Sequence, residues 1–366
     1  MLYFTGIAFS FFLLVLLLLK KGKTTADKIL AVWMAVMVFH QACFYFLYSG
    51  VAFQYPHTLG IGLPLPVLHG VFLFLYVGAI TQAYPFTLRR AWPHFLPFVT
   101  LVALIIPFFA LPASQKVWVF QHEGVGYEWY IQIQFLLIMG TGLVYIPWSL
   151  LLIRKHRRKI REVLSNTDHL MLRWLEYLSI GLGLIWVLVF FFDDSIVFLG
   201  ALALVLFIGF FGINQVPVFY VTALGSPTKD IPEAQAPVAR YAKSGLKDDD
   251  ADRLLQRLHD LMESGKLFRK NDLTLLELAE QLDIHPNYLS QVINDQLQKP
   301  FYHYINTLRI EDFLMVAALP ESKRYTLLSL AYESGFNSKS TFNKYFKHYT
   351  GKTPSEYFKS QAVDIQ

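Results

Sequence analysis

The sequence predicts an all-α protein of two unlike parts, an N-terminal bundle of about seven transmembrane helices and a C-terminal helical domain in water. Of the 366 residues, 54% are hydrophobic and only 16% are charged, which argues against a wholly soluble protein. Residues 1–220 carry 14 Lys/Arg and 8 Asp/Glu, whereas residues 221–366 carry 18 and 19. All seven tryptophans, from Trp33 to Trp186, lie in the first part, where their rings suit a membrane interface. We therefore expect lipid around the first part and water around the second.

Seven apolar stretches come close to the 20 residues that a bilayer requires. They cover about residues 2–19, 29–48, 63–83, 94–111, 130–153, 174–192 and 195–213. The first stretch does not resemble a cleavable signal, because no basic residue precedes it and Lys20, Lys21 and Lys23 follow it. Each stretch is predicted to be a membrane span.

The basic residues between the spans predict the orientation. Alternate loops, beginning after the first span, carry thirteen basic residues, whereas the other loops carry only Lys116. The positive-inside rule then places the N-terminus outside the cell and everything after the seventh span in the cytoplasm. The sixth and seventh spans are separated only by residues 193–195, but a re-entrant hairpin there would leave the C-terminal part cytoplasmic as well. The predicted location is the inner membrane, as a multi-pass protein.

Few polar residues interrupt the spans, and such residues commonly mark function inside a bilayer. His40 and His69 are candidates for a ligand pocket or a proton-sensitive site, although the favoured reading pairs each with a backbone carbonyl. The longest outer loop, residues 112–129, is rich in aromatic residues, so it either caps a small-molecule or peptide site or forms an aromatic belt. No internal repeat of the kind seen in transporters is evident.

A linker and an amphipathic helix join the two parts. Residues 221–247 are rich in Pro, Ala, Gly and Ser and lack a hydrophobic period, which predicts a linker. Residues 248–266 predict a helix, on which Leu254, Leu258 and Met262 share one apolar stripe with Leu255 and Leu261. Packing of this stripe on the following domain is the default, and pairing with a second copy would make a homodimer. We expect this helix to be the coupling element.

Two helix–turn–helix patterns follow. In the first, a helix over residues 273–282 carries the small residue Ala279, and a second helix begins at Pro286. After a long helix over about residues 302–318, the helix–turn–helix pattern occurs a second time. In it, Ala331 is the small residue where the two helices cross, and Gly335 lies in the turn. The next helix, residues 339–348, has aromatic residues on one face and Lys, Ser and Asn on the other. Lys, Ser and Asn are side chains that can contact DNA phosphates and base edges.

Positive charge is concentrated around the second pattern. Residues 323–359 contain seven basic residues against Glu333 and Glu356, although residues 221–366 as a whole have one more acidic than basic residue. This distribution favours focused contacts with double-stranded DNA over nonspecific polyelectrolyte binding.

The stretch from about Leu273 to Phe358 resembles the DNA-binding domain of the AraC/XylS family. The resemblance is strongest in GFNSKSTFNKYFKHYTGKTPSEYF and extends to LAEQL, YLSQVIN and YINTLRI. It implies an AraC-type double helix–turn–helix domain over residues 267–362, with one helix of each helix–turn–helix pattern in the major groove. The DNA-binding residues that the resemblance implies are Asn287, Ser290 and Gln291 in the first pattern and Lys339, Ser340, Asn343, Lys344, Lys347 and Lys352 in the second pattern, with Lys347 and Lys352 on phosphate.

The chain departs from the family pattern at several positions. Asp283 and Gln298 stand where the family tends to have glycine, and Phe313 stands where it tends to have alanine. Phe358 replaces a common arginine, whose lost contact is a candidate for compensation by Lys359. The first helix–turn–helix pattern therefore matches the DNA-reading pattern of the family less closely than the second.

The favoured function is a membrane-anchored, sequence-specific transcriptional regulator that couples a membrane or extracytoplasmic signal to promoter binding. Its expected partners are double-stranded DNA, the lipid bilayer and an unknown small-molecule or peptide ligand, with homodimerisation as an option. The alternatives are a transporter or channel with a regulatory DNA-binding appendage, and a precursor that proteolysis near the linker releases. No catalytic or metal-ligand constellation occurs at usable spacing, and Cys43 is the single cysteine, so we expect no enzyme, cofactor or metal.

Overall fold

The computed structural model describes residues 2–84, 86–166, 172–192, 194–212 and 248–363, and their regular structure is helical. The chain divides into two compact units, Met1–His156 with Leu172–Val216, and Arg157–Met171 with Pro217–Gln366. Helices of seven or more residues are numbered α1 to α15 in chain order. The predicted linker, residues 221–247, lies outside the described residues.

The first unit contains a helix for each of the seven apolar stretches. They are α1 (Leu2–Leu19), α2 (Thr25–Tyr48), α3 (Pro66–Thr81), α4 (Leu96–Phe109), α6 (Glu128–Val163), α7 (Arg173–Phe191) and α8 (Asp194–Gly212), with α5 (Ala113–Gln121) in the longest outer loop. A reciprocal capping box, in which Thr24 accepts from the Asp27 amide and Asp27 accepts from the Thr24 amide, begins α2. α3 is the most enclosed helix, since Leu73, Phe74 and Val77 are fully buried.

Four helical segments of this unit are long and apolar enough to cross a membrane. By length and composition they are Thr25–Tyr48, Leu88–Phe109, Glu128–Val163 and Arg173–Phe191. Among the described residues, the other apolar segments, Phe4–Leu19 of α1, Pro66–Thr81 and Ile196–Phe211 of α8, are shorter. Each predicted span therefore contains a helix, but only four described segments combine the length and the apolar composition that a span needs, so seven spans are not confirmed.

His40 and His69 are paired with each other rather than with backbone carbonyls, contrary to the favoured prediction. His40 Nδ1 lies 2.9 Å from His69 Nε2, and Trp33 Nε1 donates to His69 Nδ1 at 3.1 Å. Because His69 Nδ1 accepts, the proton of its neutral ring lies on Nε2, which then donates to His40. Trp33, His69 and His40 thus form one hydrogen-bonded chain between α2 and α3.

The helix α5, nine residues long, lies within the predicted outer loop, residues 112–129. Trp118 stacks on His122 with ring centroids 4.4 Å apart, and Trp118 is 49% exposed. A cavity of about 30 Å³ is lined by Phe120 of this helix together with Cys43 and Thr58. A cavity of that volume suits a water molecule rather than an organic ligand.

The second unit has two hydrophobic cores. Its helices are α9 (Asp248–Gly265), α10 (Leu275–Gln281), α11 (Pro286–Gln296), α12 (Phe301–Ala317), α13 (Leu327–Glu333), α14 (Lys339–Thr350) and α15 (Pro354–Val363). The long helix α12 contributes to both cores: Phe301 and Ile305 belong to the first, and Ile310 and Phe313 belong to the second. One rigid helix therefore joins the two helical modules.

The apolar stripe of α9 packs into the first core. Leu254, Leu258 and Met262 are at most 5% exposed, and they cluster with Leu278 and Leu289 of the first module. The default prediction is confirmed: the stripe packs on the following domain, so these side chains do not form a free face for pairing with a second copy.

The second unit also includes a segment that the sequence assigned to the membrane part. The fifth span was predicted to end near residue 153, but α6 continues to Val163 through the basic residues that follow. Residues from Arg157 onward cluster with the second unit. The basic stretch is therefore helical, and its end is part of the C-terminal unit.

Candidate nucleic-acid interface

The first module is a helix–turn–helix formed by α10 and α11. Thr274 and Glu277 form a capping box at the start of α10, with the Glu277 amide 3.1 Å from Thr274 Oγ1. In the turn, the Ile284 amide donates to the Ala279 carbonyl at 3.0 Å. Pro286 then opens α11 as predicted, while the His285 side chain accepts from the Asn287 amide.

The second module, α13 and α14, repeats this construction. The Phe336 amide donates to the Ala331 carbonyl at 3.1 Å, the same five-residue connection as in the first module. Ala279 and Ala331 are both fully buried, which confirms that small residues occupy the two crossings. Gly335 has φ +94°, the left-handed conformation predicted for the sharp turn.

The exposed face of α14 carries most of the predicted DNA-binding residues. Ser338 caps this helix by accepting from the Thr341 amide at 3.2 Å. Phe342, Tyr345 and Phe346 are buried, as predicted. The outward residues are Lys339, Ser340, Lys344 and Lys347, which are exposed, and Asn343, which is half-buried. Lys352 is exposed just beyond the Gly351 cap, so one continuous basic surface is available to an anionic partner.

The predicted residues of the first module form a less polar surface. Asn287 is exposed, whereas Ser290 and Gln291 are half-buried. Ser290 Oγ accepts from Asn294 Nδ2 at 3.3 Å, and the Gln291 side-chain oxygen is enclosed without a hydrogen-bond partner in the described part of the chain. No lysine or arginine lies between Pro286 and Gln296.

Charged groups at the junction of the modules hold them together, and the sequence prediction missed them. Asp312 of α12 is 1% exposed, and its carboxylate accepts hydrogen bonds from two nitrogens of Arg269, at 2.7 and 2.8 Å. The hydrogen bond to Asp312 raises the pKa of Arg269. Lys266 lies 3.2 Å from the same carboxylate. The available signal was the presence of Arg309 and Asp312 among the apolar residues of α12.

Arg309 is a buried cation whose hydrogen bonds within the described residues go to backbone carbonyls and to neutral side chains. It is 1% exposed, and its Nε donates to the Phe268 carbonyl at 2.7 Å. Burial lowers its pKa to about 10. Because a buried guanidinium needs an acceptor for every N–H, the backbone around it is fixed in place.

Comparison with known proteins gives the family of this unit. Residues 278–360 match the family described as a helix-turn-helix domain. The C-terminal part of the chain is an AraC-type helix-turn-helix domain. The relatives that match this region are named as regulatory proteins.

Relatives of the AraC-type domain are similar over this region alone. An uncharacterised HTH-type transcriptional regulator of Staphylococcus aureus (strain COL) is 27% identical over 121 residues, which cover 33% of this chain and 15% of that protein. The melibiose operon regulatory protein of Escherichia coli (strain K12) is 31% identical over 87 residues, covering 24% of this chain and 28% of that protein. This chain therefore matches less than a third of the length of either relative. No solved structure matches the chain.

Proposed function

We propose that the protein is a membrane-anchored transcriptional regulator that binds promoter DNA through its AraC-type domain. The observation that carries this proposal is the exposed Lys, Ser and Asn face of α14 within a tandem helix–turn–helix. Lys and Asn are the side chains that pair with guanine and adenine edges, and a helix of this kind fits the major groove.

The two modules have different roles in this proposal. The α14 surface, residues Lys339 to Lys347, supplies base contacts and, with Lys352, phosphate contacts. Asn287, Ser290 and Gln291 of α11 supply fewer and weaker contacts, because two of them are half-buried. The second module dominates the affinity, and the first module adds sequence preference.

Outward-facing apolar side chains support membrane anchoring. Along α6, Leu136, Leu143 and Leu151 are 69%, 77% and 59% exposed. A run of large apolar side chains on one outer surface is unfavourable in water and favourable in hydrocarbon. Together with the bias of thirteen basic residues against one between alternate loops, this supports an inner-membrane bundle with the AraC-type domain in the cytoplasm.

The orientation has a direct test. Alkaline phosphatase, which is active only outside the cytoplasm, and a fluorescent protein, which matures in the cytoplasm, are each fused after residue 366. We expect fluorescence without phosphatase activity, and the same fusions after residue 120 should give the reverse result. Phosphatase activity at the end of the chain would contradict the anchoring proposal.

The DNA contact is tested at Lys344. We expect Lys344→Ala to weaken DNA binding by about 1–3 kcal/mol and to relax the preference at one base pair if Lys344 contacts a base. Uniform weakening over all sequences would assign Lys344 to phosphate. Arg253→Ala, at an exposed basic residue on α9, is the control, and unchanged affinity in Lys344→Ala would remove Lys344 from the interface.

The transporter alternative makes a different prediction. Substrate uptake into vesicles that persists after deletion of residues 225–366 would favour a transporter. The proteolysis alternative predicts a soluble C-terminal fragment in cells, and its cleavage site would lie in residues outside the described range.

A further inference from the structure

The end of α6 is packed inside the unit that contains the AraC-type domain. α6 is one uninterrupted helix, Glu128–Val163, and its residues from Arg157 onward belong to the second unit. Ile160, Leu164 and Ser165 are 2%, 6% and 1% exposed. We name residues 160–165 the docking segment.

The docking segment pairs with the backbone that begins the first module. Leu164 forms an antiparallel bridge with Thr274, the N-cap residue of α10. The Ser165 amide donates to the Leu273 carbonyl at 3.1 Å. These are backbone interactions with a fixed register, so the contact is more specific than apolar packing alone.

Ser165 also completes the hydrogen-bond shell of the buried Arg309. The Ser165 carbonyl accepts from Arg309 Nη1 and from Asn306 Nδ2, each at 3.2 Å, and Ser165 Oγ accepts from Arg309 Nη2 at 3.1 Å. The further contact of Arg309 Nη1 is Asn306 Oδ1 at 3.3 Å. Because an unpaired buried N–H is costly, withdrawal of Ser165 would destabilise the junction between the modules.

Arg161 extends the contact towards the second module. Its guanidinium carbon lies 6.0 Å from the centre of the Tyr302 ring. The Tyr302 ring packs edge-on against Tyr345 of α14 at 5.6 Å, and the Tyr345 hydroxyl is hydrogen-bonded to His303 Nδ1 at 2.8 Å. Burial lowers the pKa of His303, and the positive charge of Arg161 is the next contribution. The docking segment thus reaches the inner side of the helix whose outer side carries the basic surface.

We propose that the docking segment is the coupling element of the protein: it occupies the junction of the two modules, and its release weakens binding to DNA sites that engage both. The docked state is the DNA-competent one, because docking leaves Lys339, Ser340 and Lys344 exposed while it fixes the junction. This role replaces the one expected for the α9 stripe. The DNA half of the proposal rests on the proposed function, whereas the docking half does not.

Docking is tested by a disulfide in the full-length protein in isolated membranes. In a Cys43→Ser background, Leu164→Cys is combined with Thr274→Cys, because the bridge places these residues within disulfide distance. We expect a mild oxidant to crosslink most of the protein. Lys159→Cys with Thr274→Cys is the matched control, since Lys159 is exposed, and its yield should be at least tenfold lower. Equal yields, or no crosslink in the first pair, would overturn docking.

The coupling role is tested with duplexes that the full-length wild-type protein enriches from a random DNA pool. Ser165→Trp cannot fit the buried position of Ser165, and we expect its affinity for these duplexes to fall at least tenfold below that of Lys159→Trp. Arg161→Ala is a milder variant for which we expect a loss of about threefold relative to Arg158→Ala, at an exposed neighbour. Wild-type affinity in both Ser165→Trp and Arg161→Ala would overturn the coupling role. Failure of the wild-type protein to enrich any duplex would overturn the proposed function, while the crosslink result would still decide docking.

Discussion

Asp283 and Gln298, both in turns of the AraC-type unit, have backbone conformations that favour glycine. Asp283 has φ +51° and Gln298 has φ +52°, and both stand where the family tends to have glycine. Asp tolerates the left-handed region better than Gln, because its short polar side chain can hydrogen-bond locally. The free-energy cost of having a residue other than glycine is therefore larger at Gln298 than at Asp283.

We expect Gln298→Gly to stabilise the AraC-type domain by up to about 1 kcal/mol. Relief of the left-handed strain exceeds the added entropy of glycine in the unfolded chain and the loss of the exposed hydrogen bond from Gln298 to the Asp295 carbonyl. Native-state hydrogen exchange of α12 measures the change. Asp283→Gly is the matched comparison and should gain less, so a larger gain at Asp283 would contradict this reasoning.

The two aromatic departures from the family pattern contact each other. Phe313 is fully buried and packs against Phe342 at 4.7 Å and against Phe358 at 6.2 Å between ring centroids. Phe358, where an arginine is common, is partly buried against this core. Phe358, at the position where the family commonly has arginine, thus contributes to the packing of the core. The neighbouring Lys359 is exposed.

Phe313→Ala should destabilise the second module by about 3–5 kcal/mol, because it removes a ring from the centre of an aromatic cluster. Hydrogen exchange of α14 should accelerate far more than that of α10, which lies in the other core. Met315→Ala is the control, since Met315 lies on the same helix and is 62% exposed. Equal effects of the two substitutions would contradict the assignment of Phe313 to the core.

At the scale of elements, helix boundaries in the AraC-type unit follow from local signals. Thr274, Thr326 and Ser338 each cap a helix through a side-chain oxygen, and Pro286 begins one. Such signals depend on a few neighbouring residues, so the sequence is sufficient to predict α10 to α14 within a few positions. The site residues on α14 follow from the same periodicity.

The end of α6 shows what local signals cannot predict. The basic residues after Ile153 end the apolar run, so the sequence indicated a loop, yet the helix continues to Val163. Ser165, two residues beyond the end of this helix, is hydrogen-bonded to Leu273, Asn306 and Arg309, which lie more than 100 residues further along the chain. The partner of the His40 ring was missed for the same reason, because His69 lies on another helix.

Gly335 joins the turn of the second module to the segment between α9 and α10. A Cβ at this position would lie 2.7 Å from the Phe268 carbonyl oxygen and 2.8 Å from that of Arg269. We expect Gly335→Ala to destabilise the domain by more than about 3 kcal/mol, since left-handed strain and a backbone clash add together. Gly351→Ala is the control, because φ is +76° and nothing lies within 4 Å, so only about 1–2 kcal/mol of strain applies. Thermal unfolding of the AraC-type unit compares the two, and similar losses would contradict the clash.

At the scale of the whole molecule, the length of α6 and the position of its basic residues bear on the proposed membrane anchoring. α6 has 36 residues, a length of roughly 54 Å at the standard helical rise, whereas a hydrocarbon core is about 30 Å thick. The excess length carries the basic residues Arg154 to Arg161. In the proposed membrane-anchored protein, this one helix would extend from the bilayer into water.

The uneven charge of residues 221–366 predicts a small salt dependence of the proposed DNA binding. Residues 221–366 have 18 basic and 19 acidic residues, so only the local basic surface of α14 contributes counterion release. We expect Lys347→Ala to lower the slope of log K against log salt by about 1 and leave base preference intact. Fluorescence anisotropy at several salt concentrations measures the slope, and an unchanged slope would remove Lys347 from phosphate contact. Glu321→Gln, at an exposed acid on another surface, should leave the slope unchanged.

Because Ser165 fills part of the shell around Arg309, the AraC-type unit is discontinuous along the gene product. During translation, the ribosome makes Ser165 long before Leu273 and Arg309, and α7 and α8 are made in between. The newly synthesised C-terminal domain must therefore contact the docking segment, which was synthesised earlier. A truncation that starts at residue 248 lacks the docking segment, so expression libraries with that boundary would contain an incomplete domain.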